Sequence, residues 1–212
     1  MSKNLNLVII GLPGSGKGTQ VEAIKNRFNL VDIATGEIAR ELADQNTPLG
    51  YEVREVINKG ELLSDEIIFK VIRERIKTIP NDKGLVFDGF PRNLKQSQVL
   101  DEILFRSGRA LDKVIYLSVP EEELEKRLKT RLICEKCGYS AFGHEKNCPK
   151  CQGKLVKRED DTSLKVVQKR IEENFKIISP LISCYQKRGN LIEINGDQPP
   201  KDVTKDIVKI LE

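Results

Sequence analysis

One run of residues constrains this chain more than any other: Gly11-Leu12-Pro13-Gly14-Ser15-Gly16-Lys17-Gly18-Thr19. It follows an apolar run, Leu5-Asn6-Leu7-Val8-Ile9-Ile10, that reads as a buried strand. It opens onto an amphipathic run from Gln20 to Phe28 that reads as a helix. Strand, glycine-rich turn and helix together form the setting in which such a loop binds phosphate. The glycines let successive backbone N–H groups converge on one spot, and the helix N-terminus adds its partial positive charge there. Lys17 then reaches over the outer phosphates. The general motif puts Ser or Thr directly after the lysine; here Gly18 intervenes and the hydroxyl is on Thr19.

Beyond the loop, strand patterns alternate with helix patterns. Leu30–Ile33 reads as a strand. Thr35 is the expected N-cap of a helix through Gln45, and a second helix covers Leu49–Asn58 and closes at Gly60. Ser64 or Asp65 caps the next helix, which runs to about Lys77 with Ile68, Val71, Ile72 and Ile76 on one face. Leu85–Phe87 is a short buried strand ending in Asp88-Gly89-Phe90-Pro91-Arg92. A helix from Leu94 to Ser107 and a strand from Val114 to Val119 follow. Pro120 opens a helix in its first turn, with Arg127 and Arg131 four apart on one face. Asp161-Thr162 is the expected cap of a long helix to about Lys187, stopped by Gly189. Leu191–Ile194 is a last strand and Pro199–Leu211 a last helix. This order predicts an α/β chain, a three-layer P-loop fold with a central parallel sheet between helices. It forms a single domain over 1–212 with two insertions, a helical one at 34–63 and a cysteine-stapled one at 130–161.

Composition narrows the function classes. Charged residues make up 32% of the chain, but the net charge is only +4 and both signs are interspersed, so no basic block argues for nucleic acid. No apolar run approaches the ~18 residues of a membrane span, and the N-terminus lacks the pattern of a signal peptide. The expected location is the cytoplasm, with no membrane partner.

Four of the five cysteines form Cys134-x2-Cys137-x10-Cys148-x2-Cys151. In a reducing compartment this spacing reads as one tetrahedral metal site rather than two disulfides. Zinc is favoured, with iron and cobalt left open by spacing alone. Four thiolates leave no open position, so the metal is structural. His144 lies in the same loop and is read as a loop residue. Cys184 is read as a small buried side chain.

Asp88 stands just past a parallel strand, where α/β sheets place ligands, and can hold Mg²⁺ facing the phosphates. Arg40, Arg92, Arg131, Arg158 and Arg170 each lie beside a motif or at the edge of an insertion, and arginine forks bind phosphate oxygens. Asp160-Asp161 can cap a helix or pair with these arginines.

These motifs, in this order and over essentially the whole chain, resemble the adenylate kinases. Asp-Gly-Phe-Pro-Arg after such a loop is characteristic of nucleoside monophosphate kinases, and the four-cysteine segment is similar to the zinc-bearing lid of bacterial members. The resemblance implies reversible phosphoryl transfer from MgATP to AMP, giving two ADP for purine nucleotide homeostasis, by a monomer. It implies that Gly14, Ser15, Gly16, Lys17, Gly18 and Thr19 cradle ATP phosphates, with Arg127, Arg131 and Gln198 also on ATP. It implies an AMP site of Thr35, Gly36, Arg40, Glu61, Leu62, Leu63, Gly89, Phe90, Pro91, Arg92 and Gln96, with Arg158 and Arg170 bridging the transferred group. Lys17, Asp88, Arg92, Arg131, Arg158 and Arg170 are the implied catalytic set, and Cys134, Cys137, Cys148 and Cys151 the implied zinc ligands. Lid closure is likewise a property of that family rather than of the spacing. The chain departs from the family's pattern in its short x10 linker, in Ser140-Ala141 where a hydroxyl residue followed by tyrosine is usual, and in one extra residue between Arg158 and Arg170. A kinase for UMP or CMP and, in another class, a zinc-ribbon nucleic-acid module are the alternatives.

Overall fold

The apolar runs pair into a sheet because each is too short and too continuously hydrophobic to face water on either side. The structure is a computed structural model that describes residues 4–59, 61, 63–142, 145–157, 161 and 163–212. In chain order its elements are β1 (Asn6–Gly11), α1 (Lys17–Lys25), β2 (Leu30–Ala34), α2 (Thr35–Ala43), α3 (Pro48–Asn58), α4 (Asp65–Lys77), β3 (Gly84–Asp88), α5 (Leu94–Arg106), β4 (Lys113–Ser118), α6 (Glu121–Thr130), β5 (Arg131–Cys134), β6 (Ser140–Phe142), β7 (Leu155–Lys157), α7 (Leu164–Lys187), β8 (Leu191–Asn195) and α8 (Pro200–Leu211). None of the described helices is long and apolar enough to cross a membrane.

The central sheet runs β2-β3-β1-β4-β8, with every pairing parallel. The alternation of β1 splits its side chains between two layers. Val8 and Ile10 pack with Phe87, Leu100, Leu104, Leu181 and Tyr185 on the side of α4, α5 and α7. Leu7 and Ile9 pack with Val21, Ile24, Val203 and Ile207 on the side of α1 and α8. A smaller cluster of Leu12, Leu124, Leu128, Val167 and Ile171 joins α6 to α7 beside the glycine-rich loop. The expected three-layer α/β architecture is what the chain adopts. Ile38, Ala39 and Ala43 of α2 and Val53 of α3 belong to the first of these layers.

Several boundaries differ from expectation for local reasons. Helix α1 begins at Lys17 rather than Gln20, because Gly16 in a left-handed conformation supplies its N-cap. Thr35 is the first helical residue of α2, and Ala34 takes the cap position without a side-chain bond. Of the two candidates for α4, Ser64 is the cap, accepting from the Ile67 amide. Pro120 caps α6 from outside its first turn. Helix α7 is capped by Ser163, whose side chain accepts from Val166 N–H, and not by Asp161. Thr162 and Gly60, also named as capping residues, lie outside the described residues. Pro180 sits inside α7 without ending it; fully buried Leu181 and Tyr185 hold the segment beyond it against the core.

At the amino ends of the strands, Arg109 ties the chain together. It donates to the carbonyls of Lys83 at 2.7 Å and Pro80 at 2.8 Å. Beside it, the Asn6 amide donates to Asp112 Oδ2 at 2.9 Å and the Asp112 amide returns a bond to the Asn6 carbonyl. A second sheet, β6-β5-β7, is antiparallel and lies in the cysteine-bearing insertion.

Candidate active site

The carboxyl ends of the five parallel strands deliver Gly11, Ala34, Asp88, Ser118 and Asn195 to one rim. The sheet order reverses direction around β1, and such a switch point opens a crevice above the strand ends. Every motif singled out in the central domain starts there.

Gly14 and Gly16 hold φ of 84° and 93°, which a side chain would strain, so the loop curls back toward its own start. No acidic residue of its own occupies the first turn of α1, so no side chain of that turn offsets its N-terminal charge. Lys17 Nζ donates to the carbonyls of Gly11 at 2.8 Å and Leu12 at 3.1 Å. Burial lowers the Lys17 pKa, Asp88 opposes that, and Arg131, Arg92 and Arg170 lower it further. The three arginines therefore lie near enough for their charges to act on Lys17. Gly18 faces Asp88: a Cβ at this position would lie 3.6 Å from Asp88 Oδ2, an ordinary contact distance. The first turn of α1 thus lies close to that carboxylate.

Asp88 closes β3, in register with Ile9 of β1 and Ala34 of β2. Burial raises its pKa, while Lys17 and Arg92 pull it down. After it, Gly89 turns at φ 74° and the Phe90–Pro91 peptide is cis. Phe90 is buried against Phe69 and Phe87, with ring centroids 6.3 and 6.4 Å away. That anchor leaves Arg92 exposed, its Nε donating to the Gly89 carbonyl at 2.8 Å. Gln96 is buried; it accepts from the Arg92 amide at 2.7 Å and donates to Asp65 Oδ1 at 2.6 Å. Across the rim, Thr35 and Gly36 open α2, and exposed Arg40 makes no hydrogen bond or ion pair to any described side chain.

Arg131 is not on the helix with Arg127, as four-residue spacing predicts, because the chain turns extended at that residue and it becomes the first of β5. Its side chain is buried. Nε donates to Asp161 Oδ2 at 2.9 Å and Nη2 lies 2.7 Å from the same oxygen. The other oxygen of Asp161 accepts from Arg170 Nη1 at 2.7 Å. Asp161 is thus shared between two arginines, and Arg170 joins Arg131 despite the extra residue in the spacing. Arg127 stays on α6, donating to Glu123 at 2.9 Å, with Asp197 3.7 Å from its Nη2. Gln198, next in the chain, donates to the Asn195 carbonyl and to Asp206.

The four cysteine sulfurs lie within 4.8 Å of one another. A tetrahedral ion with bonds of about 2.3 Å sets sulfurs about 3.8 Å apart, so the arrangement fits one metal ion. Two matching turns build it. Gly138 N–H donates to the Cys134 carbonyl and Gln152 N–H to that of Cys148, with left-handed φ of 70° and 59° at the two donors. Gly153 has no room for a side chain, since a Cβ would lie 2.9 Å from Cys134 Sγ. Burial pushes the Cys134 thiol up, but amides of Cys137 and Lys136 outweigh it and bring it to about 7. The Tyr139 amide favours the Cys137 thiolate, yet burial and the three neighbouring sulfurs push it up to about 12. The outer edge of the insertion meets α1, where Lys150 Nζ lies 3.1 Å from Glu22 Oε2.

A family model described as adenylate kinase matches residues 9–190. The chain belongs to the adenylate kinase family. An adenylate kinase of Limosilactobacillus reuteri is 41% identical over 213 residues, spanning 98% of each chain. One of Bacillus licheniformis is 39% identical over 213 residues, and one of Archaeoglobus fulgidus 37% over 214, each again over 98% of both chains. The reading as an adenylate kinase, a phosphotransferase, stands on these matches.

Within this adenylate kinase, the structure brings Lys17, Asp88, Arg92, Arg131 and Arg170 together, and sets Thr35, Gly36 and Arg40 across the rim. Arg127 and Gln198 meet near Asp197 at a separate point. Glu61 is exposed and Leu63 packs against the main core. Leu62, His144, Arg158 and Asp160 lie outside the described residues. Two carboxylates escaped the sequence reading as site residues. Asp32, in the middle of β2, has an Oδ1 that is buried without a hydrogen-bond partner. Burial first, then Asp88 and Glu37, pushes its pKa up to about 6. The signal was an acid inside the apolar run Leu30–Ile33. Asp65, read only as a cap, holds Gln96.

Proposed function

We propose that the chain catalyses reversible transfer of the γ-phosphoryl group of MgATP to AMP, giving two ADP, as an ATP:AMP phosphotransferase. The observation that carries this reading is that Arg131 and Arg170 are joined through Asp161 and, with Arg92, act electrostatically on Lys17 opposite Asp88. The attacking oxygen of a nucleoside monophosphate is anionic above a second pKa of about 6, so the reaction needs no general base. The protein's work is positioning and charge stabilisation. Gly14 to Thr19 hold the donor phosphates by backbone N–H groups, with Arg127 and Gln198 on the nucleoside side of ATP. Thr35, Gly36, Arg40, Glu61, Leu62, Leu63, Gly89 to Arg92 and Gln96 take AMP. Lys17, Arg92, Arg131, Arg170 and Arg158 neutralise the transferred group. Asp88, with Asp32 two register positions away on the neighbouring strand and near enough for the two charges to act on each other, offers hard oxygen donors suited to Mg²⁺. When bound with ATP, Mg²⁺ supplies charge neutralisation at the phosphates.

The insertions at 34–63 and 130–161 act as an acceptor flap and a lid that exclude water, which would otherwise hydrolyse ATP. The cysteine site holds structural Zn²⁺. The enzyme works as a monomer in the cytoplasm, without nucleic acid or membrane. A coupled assay of ADP formation from ATP with AMP, UMP, CMP and GMP, together with metal analysis, tests this. Preference for UMP or CMP, or no phosphotransfer at all, overturns it.

A further inference from the structure

The geometry points to Asp65 as a specificity-determining residue, which locks the Gln96 amide in one orientation and thereby selects an acceptor base bearing an amino group over one bearing an oxo group. The inference rests on the reading that AMP binds beside Gln96. It adds what decides the base.

A primary amide carries two N–H hydrogens and two oxygen lone pairs, and half a turn about its last bond exchanges donor for acceptor. At Gln96 that exchange is blocked from both sides. Nε2 donates to Asp65 Oδ1 at 2.6 Å, and Oε1 accepts from the Arg92 amide at 2.7 Å. A carboxylate only accepts and a backbone amide only donates. The reversed amide would set N–H against N–H and oxygen against carboxylate. Gln96 is 4% exposed, so water does not repair such a mismatch. The clamp is itself held. Asp65 is the first residue of α4, directly after the Ser64 cap, and the Asn93 side chain accepts from the Gln96 backbone N–H at 2.9 Å to fix the start of α5.

Once both bonds are made, Gln96 keeps one N–H and one lone pair with no partner among the described residues. Adenine offers a 6-amino donor beside the N1 acceptor, which complements that pair. Hypoxanthine and guanine offer a 6-oxo acceptor beside an N1–H donor, and uracil shows the same order at O4 and N3. Against the locked amide these bases meet donor with donor and acceptor with acceptor. Mismatches at a buried polar reader are strongly rejected, whereas a freely turning amide would tolerate both patterns. Cytosine shares the amino pattern, so this device does not discriminate against it.

The test is kcat/KM with ATP as donor and AMP or IMP as acceptor, since IMP differs from AMP only along this edge. In Asp65→Asn the new amide can donate or accept, which lifts one of the two constraints and leaves only the Arg92 N–H opposing the reversed Gln96 amide. The AMP-over-IMP preference is expected to fall at least tenfold, chiefly through improved use of IMP. Lys95→Gln serves as the control: Lys95 lies 3.9 Å from Asp65 Oδ2, and removing that contact leaves the preference unchanged. If Asp65→Asn does not fold, Asp65→Ser, a good residue at a helix start, carries the same expectation. An unchanged preference in a folded variant, or an equal loss with both acceptors, overturns the proposal. A wild-type enzyme inert with AMP instead overturns the AMP reading itself.

Discussion

Arg92 is held to the protein by the bond from its Nε to the Gly89 carbonyl, and the rest of its guanidinium is exposed. Removing it forfeits little packing, so Arg92→Ala is expected to shift stability by less than about 0.5 kcal/mol while turnover falls by about 10²–10³. Turnover and thermal unfolding of the same sample check this pair of effects. Asp32 gives the opposite kind of prediction. Its pKa is raised to about 6 in the folded protein, so its charge opposes folding above that value. The penalty fades as pH falls from about 6 to about 4 and is absent below, where both states are protonated. A two-unit shift corresponds to about 3 kcal/mol, which partial solvent exposure reduces to about 1–2. Asp32→Asn is therefore expected to unfold at a higher temperature than wild type near pH 8, with the gap closing below about pH 5. A gap that widens in acid contradicts the assignment. Neither Asp32 nor Asp65 announces its role in the sequence. An acid in an apolar run and an acid after a capping serine both have ordinary explanations, and only the partners 56 and 31 positions along, Asp88 and Gln96, give them another.

At the scale of elements, what periodicity and punctuation control was legible, and what depends on distant partners was not. The strand–loop–helix around Gly11 to Thr19, the strand ending at Asp88 and the cysteine pairs could be read because each signal is contained in a few consecutive residues. Arg131 could not, because a helical pattern carries no sign that β5 takes the chain away at that residue. Asp161 looked like a cap because it precedes a helix; its burial between Arg131 and Arg170 depends on a residue 30 positions earlier. The segment around β5, β6 and β7 buries few apolar side chains besides Ala141, with Cys134 and Cys148 the most enclosed of its cysteines. Metal should therefore supply much of its order. Chelation is expected to loosen this sheet first and to lower the unfolding temperature by several degrees, measured by hydrogen exchange and calorimetry. Lost activity with unchanged exchange and unfolding would overturn a structural role for the ion.

Across the whole molecule, the parallel sheet separates two rims. The carboxyl rim carries the loop, Asp88 and the arginines; the amino rim carries Arg109 with its bonds to Lys83, Pro80 and, at 3.4 Å, Asn6 Oδ1. Burial lowers the Arg109 pKa, and a guanidinium hydrogen-bonded to carbonyls is a charged donor. Charge-assisted bonds to carbonyls are worth more than neutral ones, and Arg109→Ala is expected to cost about 2 kcal/mol, or about 4–8 °C in a chain of this size. Its kcat at low temperature should match wild type, and a large drop there would mean the two rims are coupled.

That separation predicts how damage to the gene would show itself in a living cell. Lesions at Arg109 give a heat-sensitive growth defect that cooler culture or raised expression rescues, because each folded copy remains competent. Lesions at Arg92 give a protein of normal abundance that no temperature or dosage restores.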